Sequence, residues 1–542
     1  MNGIIKVPAP STEPVKGYAP GSPEKVSLKA QLKKMLSEEI EIPLIIGGKE
    51  VKTGQMADCR IPHDHGHLLG RYHKAGPEEI DRAVKAAKTA WKDWSEMDWV
   101  SRSSIFLRAA ELLATKYRDI VNAATMLGQS KTAHQAEIDA ACELIDFYRF
   151  NPYYMSQIYA QQPDSSPGIW NYLEYRPLEG FVFAITPFNF TSIAGNLPTS
   201  PAIMGNVALW KPASSAVYSA YFLALLFKEA GLPDGVINFI PGPGRYVGDP
   251  VLEKPDLAGV HFTGSTEVFQ GMWKSIGANI KKYKSYPRIV GETGGKDFIF
   301  VHASADVDVV VTALIRGAYE YQGQKCSAAS RAYIPSNLWD SIKDSLIDQA
   351  KTIKMGDIVD FSTFMGAVID KAAFDTIVEY IEFAIQSTDA EIIFGGKYDD
   401  SKGYFIEPTI VVTTDPHHKL MEEEIFGPVL TIFVYDENKF QETLEICDTT
   451  SPYGLTGAIF ANDRQAVIQG FKALRHSAGN FYINDKPTGA VVSQQPFGGA
   501  RGSGTNDKAG SYMNLLRWTS ARTIKEVMNP PRDYRYPFLQ ED

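Results

Sequence analysis

The sequence predicts an α/β protein: a doubly wound parallel sheet in one domain, followed by a second α/β domain. Three observations carry this. Short apolar runs at 181–185, 207–210, 236–240 and 259–262 read as buried strands. Between the second and third, SSAVYSAYFLALLFKEAGLP reads as a helix that begins on serines and stops at Gly231 and Pro233. Strand, helix, strand at that spacing gives parallel pairing. The 542 residues suggest several domain-sized units of about 150 residues, and 44% hydrophobic content is enough to fill their cores.

Taken in order, residues 1–40 mix Pro, Gly, Ser and Lys around one helical pattern at 28–36, the mark of an arm lying on the surface. From Glu78, the positions Ile80, Val84, Ala87, Trp91 and Trp94 step by four and three along one helix face. A second helix is predicted over 104–121. A third, over 137–148, buries Ile138, Ala141 or Cys142, and Ile145, which assigns Cys142 to the core. The polar stretch QQPDSSPGIWNYLEYRP follows, and its Ile169, Tyr172 and Tyr175 alternate with polar residues as in an exposed strand. Beyond Phe298, helical patterns at 307–321, 338–352 and 371–386 supply the second α/β domain.

Acids outnumber bases by 64 to 54, and a net charge of −10 speaks against nucleic acid as a partner. No apolar run approaches the roughly 18 residues needed to cross a bilayer, so no membrane partner is expected. The opening MNGIIKVPAPSTEPVKG has neither the apolar core of a secretory signal nor the Arg-rich start of a transit peptide. A cytoplasmic location is the expectation, with the mitochondrial matrix as the alternative if a presequence has been removed. Four scattered cysteines, Cys59, Cys142, Cys326 and Cys447, are too few for a disulfide framework, so a special one is expected to be reactive.

Two glycine turns follow strands, Gly242-Pro-Gly244-Arg-Tyr-Val-Gly248 and Thr263-Gly264-Ser265-Thr266. Both place backbone N–H groups at a helix start, where phosphates bind, although neither spells GxGxxG and tight turns alone would also call for glycine. Lys211, ending its strand in Trp210-Lys211-Pro212, stands where ligands of open α/β sheets bind. Cys326 lies in Tyr321-Gln-Gly-Gln-Lys-Cys326-Ser-Ala-Ala-Ser, where a helical run breaks and small neighbours leave room for a substrate. A thiol needs a cation or amide dipoles to gain thiolate character, and Lys325 is the nearest cation in sequence. Glu292, in Val-Gly-Glu292-Thr-Gly-Gly-Lys, supplies a carboxylate, and Asn189, in Thr-Pro-Phe-Asn189-Phe190, a neutral amide donor. Acyl chemistry at sulfur needs those three roles of nucleophile, base and oxyanion donor. His63-Asp-His65-Gly-His67 has no flanking Cys and no HExxH context, so it reads as a polar turn and no metal is expected.

Together these segments resemble the aldehyde dehydrogenase superfamily from about residue 40 to 525, through PFNF, WKP, FTGS, GETGGK, GQKCS, EEIFGPV and QQPFGG in that order. FNPYY, GETGGKDF, GQKCSAASRAYIP and QQPFGGARGSGTNDKAG are similar to the branch that oxidises L-glutamate 5-semialdehyde to L-glutamate in proline breakdown, with NAD as cofactor. The resemblance implies Cys326 as nucleophile, Glu292 as general base and Asn189 as oxyanion donor. It gives Lys211 to the adenosine ribose, Gly264 and Ser265 to the pyrophosphate, and Glu424 with Phe426 to the nicotinamide ribose. Many members carry Glu where this chain has Ser214, which removes one ribose acceptor and one repulsion against a 2′-phosphate.

For the substrate, the resemblance implies an anchor loop at Thr488-Gly489-Ala490-Val491 whose backbone N–H groups receive a carboxylate. Ser327 adds a hydroxyl, Phe190 and Phe497 flank the aliphatic chain, and Glu143 stands behind the pocket. The implied architecture is an N-terminal arm (1–40), an NAD-binding domain (41–157 and 178–294), a catalytic domain (295–505), and an oligomerisation arm built as a β-hairpin with the C-terminal tail (158–177 and 506–542). Such arms imply a homodimer or a multiple of dimers. Three rival readings stand beside this one. They are a CoA-acylating semialdehyde dehydrogenase, which needs no water-activating base, a nucleotide-independent cysteine hydrolase, and a catalytically silent protein on the same fold.

Overall fold

The computed structural model describes residues 3–539. Its first large sheet has seven strands in the spatial order Arg288–Glu292, Leu257–Thr263, Phe181–Ile185, Val207–Lys211, Ile237–Phe239, Leu44–Ile46 and Lys49–Val51. The first five are parallel, and the last two close the edge antiparallel. Phe181–Ile185, Val207–Lys211 and Leu257–Thr263 are buried at every position, as expected of parallel strands covered by helices. Helices Pro77–Glu96 and Thr191–Ile203 provide that cover.

Register decides where chemistry can happen. Ile185 pairs with Lys211 and with Phe262, and Thr263 pairs with Glu292. The carboxyl ends of four strands therefore lie along one rim, with the 186–190 turn, Lys211, Gly264 and Glu292 side by side. That is the edge at which ligands of doubly wound sheets bind.

The second large sheet runs Ala390–Phe394, Thr409–Thr413, Val429–Tyr435, Ala329–Pro335, Asp297–Val301, Thr456–Phe460 and Asn480–Ile483. Only Ala390–Phe394 is antiparallel to its neighbour. Helices Val307–Tyr319, Ser336–Lys351 and Lys371–Gln386 stand close to where the apolar periodicity puts them.

The structure departs from the sequence reading in four places. A third sheet joins Ile40–Ile42, Asp64–His73 and Met56–Ile61, where the sequence suggests no strand. Its residues are largely His, Arg, Asp and Gly, with little β-branched character, so the period-2 signal is weak. Of the histidine cluster, His63 sits in the turn between Met56–Ile61 and Asp64–His73, as expected, while His65 and His67 stand on the second strand. His63 faces Ser130 Oγ at 3.0 Å, and His65 bonds the carbonyl of Asp400 at 2.8 Å.

The helix expected over 104–121 is two helices, Trp99–Ala114 and Arg118–Gln129, because Thr115 leaves helical geometry at ψ −92°. Glu137–Glu143 is a π-helix that runs straight into Leu144–Tyr159. Within 158–177 the strand is Ile169–Arg176, paired over its whole length with Ser520–Val527. The expected second limb of a hairpin is irregular chain, tied to the strand by Gln162 and Asp164.

Residues 13–18 lie against the helical layer and are pinned there. The Glu13 N–H donates to Asp146 at 2.7 Å, that of Lys16 to Glu137 at 2.9 Å, and Tyr18 Oη to Glu137 at 2.8 Å. Helix Pro23–Leu36 follows, capped by Ser22 and buried through Leu28, Leu32 and Met35.

Candidate active site

The turn after Phe181–Ile185 carries Asn189, which is buried and donates Nδ2–H to the carbonyl of Gln324 at 3.1 Å. An amide nitrogen has two hydrogens, so the second is free to meet an oxyanion. Gln324 stands two residues before Cys326, and the single bond therefore sets the amide beside the thiol. The loop into Cys326 is strained, with Tyr321 and Gln322 at φ 54° and 57° and Gly323 at 68°. Left-handed backbone in two consecutive non-glycine residues costs energy and is retained where a site needs it.

Cys326 is half-buried and in no disulfide. Burial pushes its thiol well above the ordinary range, and the carboxylates of Asp297, Glu424 and Glu292 push it further. Both effects favour the neutral thiol over the thiolate. Lys325, expected from sequence to aid ionisation, instead pairs with Glu320 at 3.0 Å.

Glu292 ends Arg288–Glu292, and its Oε2 accepts the N–H of Gly499 at 2.9 Å. Burial raises its carboxyl well above the usual carboxylate range, while that N–H and Lys508 act in the opposite sense. The motif glycines have steric reasons. A Cβ on Gly498 would stand 3.0 Å from Glu292 Oε1, and one on Gly294 would stand 2.3 Å from Glu424 Oε2.

Along the same rim, Lys211 Nζ donates to the carbonyl of Pro212 at 3.1 Å, and burial lowers its ammonium to about 8. Ser214 reaches the carbonyl of Gly242, which ties the segment after Lys211 to the first of the two glycine turns. Gly264 donates to the carbonyl of Glu292 at 3.2 Å. Ser265 precedes helix Thr266–Ala278 without capping it, and the buried Thr266 Oγ1 finds no partner among the described residues. An uncapped helix start with an orphan hydroxyl fits a pyrophosphate. Glu424 Oε1 accepts the N–H of Gly295 at 2.9 Å and burial pushes it up to about 7. Phe426, at φ 56°, sets its ring edge-on to Phe188.

On the other side of the thiol, Ser327 Oγ donates to Thr488 Oγ1 at 2.9 Å and ties the nucleophile loop to residues 488–491. Gly489 sits at φ 98°. Val491 N–H is taken by Gln495, whereas among the described residues no acceptor meets the N–H groups of Gly489 and Ala490. Phe497 is fixed by paired backbone bonds with Ala509. Glu143 accepts Ser192 Oγ at 2.8 Å and is pushed up to about 8 by burial and the nearby Asp139 charge. It is half-buried and held by that bond, not a solvated helix position.

Sequence reasoning passed over Lys131 and Asp139, which form a fully buried pair at 2.7 Å. A signal was present, since Lys131 is the one charged residue between Ile120 and Ala133. The other cysteines are remote from this chemistry: Cys59 and Cys447 are buried thiols pushed up to about 12, and Cys142 packs beside Glu137.

The model of the aldehyde dehydrogenase family matches residues 50–524. The chain is 55% identical over 536 residues to the Delta-1-pyrroline-5-carboxylate dehydrogenase, mitochondrial, of Dictyostelium discoideum, covering 98% of this chain and 96% of that one. It is 48% identical over 531 residues to the human protein of the same name, covering 98% and 94%. Among solved structures, the Delta-pyrroline-5-carboxylate dehydrogenase of Mycobacterium tuberculosis bound with NAD superposes with a TM-score of 0.97 at 52% identity, covering 100% of both chains.

Proposed function

Because this chain belongs to the aldehyde dehydrogenase family, we propose that it oxidises L-glutamate 5-semialdehyde, the open form of Δ1-pyrroline-5-carboxylate, to L-glutamate with NAD. One observation carries the substrate choice. The Ser327–Thr488 hydrogen bond sets two unpaired backbone donors, at Gly489 and Ala490, beside the nucleophile loop. A substrate with its aldehyde at Cys326 and a carboxylate at its other end satisfies both.

Cys326 Sγ attacks the aldehyde carbon while its proton passes to water in the cleft, and the second N–H of Asn189 with the Cys326 backbone N–H holds the developing oxyanion. Lys211, Ser265, Thr266 and Glu424 would hold NAD, which when bound takes the hydride from the thiohemiacetal carbon and leaves a thioester on the sulfur. Glu292 then turns from Gly499, takes a proton from water, and the water oxygen adds to the thioester carbon. The C–S bond breaks, the thiol regains a proton and glutamate departs. Phe190 and Phe497 wall the aliphatic chain. Glu292 favours hydrolysis over transfer to CoA, which needs no such base.

The pairing of Ile169–Arg176 with Ser520–Val527, exposed on much of its surface, supports assembly as a homodimer or a multiple of dimers. Two relatives carry a mitochondrial name, which supports the matrix over the cytoplasm. Among the described residues no helix is long and apolar enough to cross a membrane. The test is stoichiometric: pyrroline-5-carboxylate and NAD should give one glutamate per NADH without CoA. Absence of both NADH and glutamate would remove the dehydrogenase reading, since hydrolysis cannot oxidise an aldehyde, and a requirement for CoA would indicate an acylating enzyme.

A further inference from the structure

Resting on that reading of the site, we propose that Lys131 is a positioning residue whose buried ammonium holds the oxyanion turn and the nucleophile loop in one arrangement. Its side chain is fully buried, with Nζ 4.1 Å from the ring centroid of Phe190 and 4.5 Å from that of Tyr321. Phe190 adjoins Asn189. Tyr321 opens the left-handed stretch that leads to Cys326. One cation thus touches an aromatic face from each of the two loops, and a desolvated cation attracts such faces strongly. The Tyr321 hydroxyl has no partner among the described residues, so packing and the ammonium hold that ring.

Asp139 is what keeps the cation in place. Oδ2 accepts from Lys131 and from the N–H of Thr191 at 3.0 Å, and Oδ1 accepts from the N–H of Ser192 at 2.8 Å. The carboxylate therefore caps, from another element, the helix that begins just after Phe190. Gln129 adds a bond to the Thr191 hydroxyl at 2.9 Å. Burial opposes charge on Lys131, while the Asp139 carboxylate sustains it.

A plain structural pair would show the same distances, so the test separates the two roles. Lys131→Met should lower Tm, since it leaves Asp139 buried and unpaired. The double variant K131M/D139N removes the ion pair at nearly constant volume and should recover part of the lost Tm, since Asn keeps one of the two oxygens that accept the Thr191 and Ser192 N–H groups. We expect it to keep a KM for the semialdehyde raised about tenfold, with KM for NAD unchanged, and a rate of Cys326 alkylation by iodoacetamide altered about threefold or more. Such recovery of Tm together with wild-type KM and alkylation rate would overturn the proposal. Tyr321→Leu leaves the pair intact and should reproduce the alkylation change; a wild-type rate there also overturns it. Failure of the wild-type enzyme to oxidise the semialdehyde would refute the functional reading instead, and the alkylation comparison then decides the role of Lys131 alone.

Discussion

Glu292 Oε2 accepts the backbone N–H of Gly499 at 2.9 Å, so the candidate base is parked on the QQPFGG motif. Its carboxyl is held well above the ordinary range by burial. Raised in this way, it gives up its proton at higher pH than a free carboxylate and becomes a base as pH rises. The deacylation rate should climb with pH through a midpoint well above that of a free carboxylate, and Glu292→Gln should remove that limb. A rate-limiting step with the same pH profile in the variant would assign the limb elsewhere.

Cys326→Ala should abolish turnover while NAD binding persists, because the thiol makes the covalent bond and the residues lining the nucleotide rim lie elsewhere. Cys59, Cys142 and Cys447 should each tolerate Ala with activity retained, since all three are buried away from the cleft. Loss of catalysis without unfolding in any of those three would show that the wrong thiol has been chosen.

Lys211 makes the opposite trade between stability and function. Burial lowers its folded value from 10.5 to about 8. Between those values the unfolded chain binds more protons than the folded one, so this group makes stability rise with pH over that window. Below it the buried charge costs up to about 3 kcal/mol. Lys211→Met should therefore leave Tm at neutral pH unchanged or higher and flatten its rise above pH 8, while KM for NAD increases about tenfold or more. Urea titrations across pH and initial rates check both halves; a lower Tm with unchanged KM would remove Lys211 from the nucleotide site.

The semialdehyde should be preferred over pentanal by about tenfold or more in kcat/KM. A chain without the carboxylate forgoes charge-assisted hydrogen bonds from the exposed Gly489 and half-buried Ala490 N–H groups, worth about 1.5 to 3 kcal/mol each. Equal efficiency would demote the anchor loop and leave a general aldehyde oxidiser.

Much of this site was legible because its parts are punctuated. Strand ends followed by Gly, Pro or Asn set Asn189, Lys211 and Gly264 at or just beyond the carboxyl ends of strands, since short apolar runs and helix stops are local signals, whereas Glu292 reads only as a carboxylate among glycines and its strand Arg288–Glu292 is seen in the structure alone. Lys131 and Asp139 were not legible. Their pairing depends on a π-helix and on packing against a helix some 50 residues on, and neither leaves a spacing rule in the sequence. Lys325 misled for the same reason. Adjacency to Cys326 suggested help to the thiol, whereas the backbone turns its ammonium to Glu320. The strands Met56–Ile61 and Asp64–His73 were hidden by polar composition.

The division of labour between Cys326 and Glu292 is tested most directly by rapid mixing of Glu292→Gln with NAD and semialdehyde. The substitution keeps shape and removes the proton acceptor, so attack and hydride loss should proceed while the thioester accumulates. The expected record is a burst of about one NADH per active site followed by turnover slowed about 10² to 10⁴-fold. Loss of the burst would mean that Glu292 acts earlier, at the thiol, and unchanged steady-state turnover would remove it from catalysis.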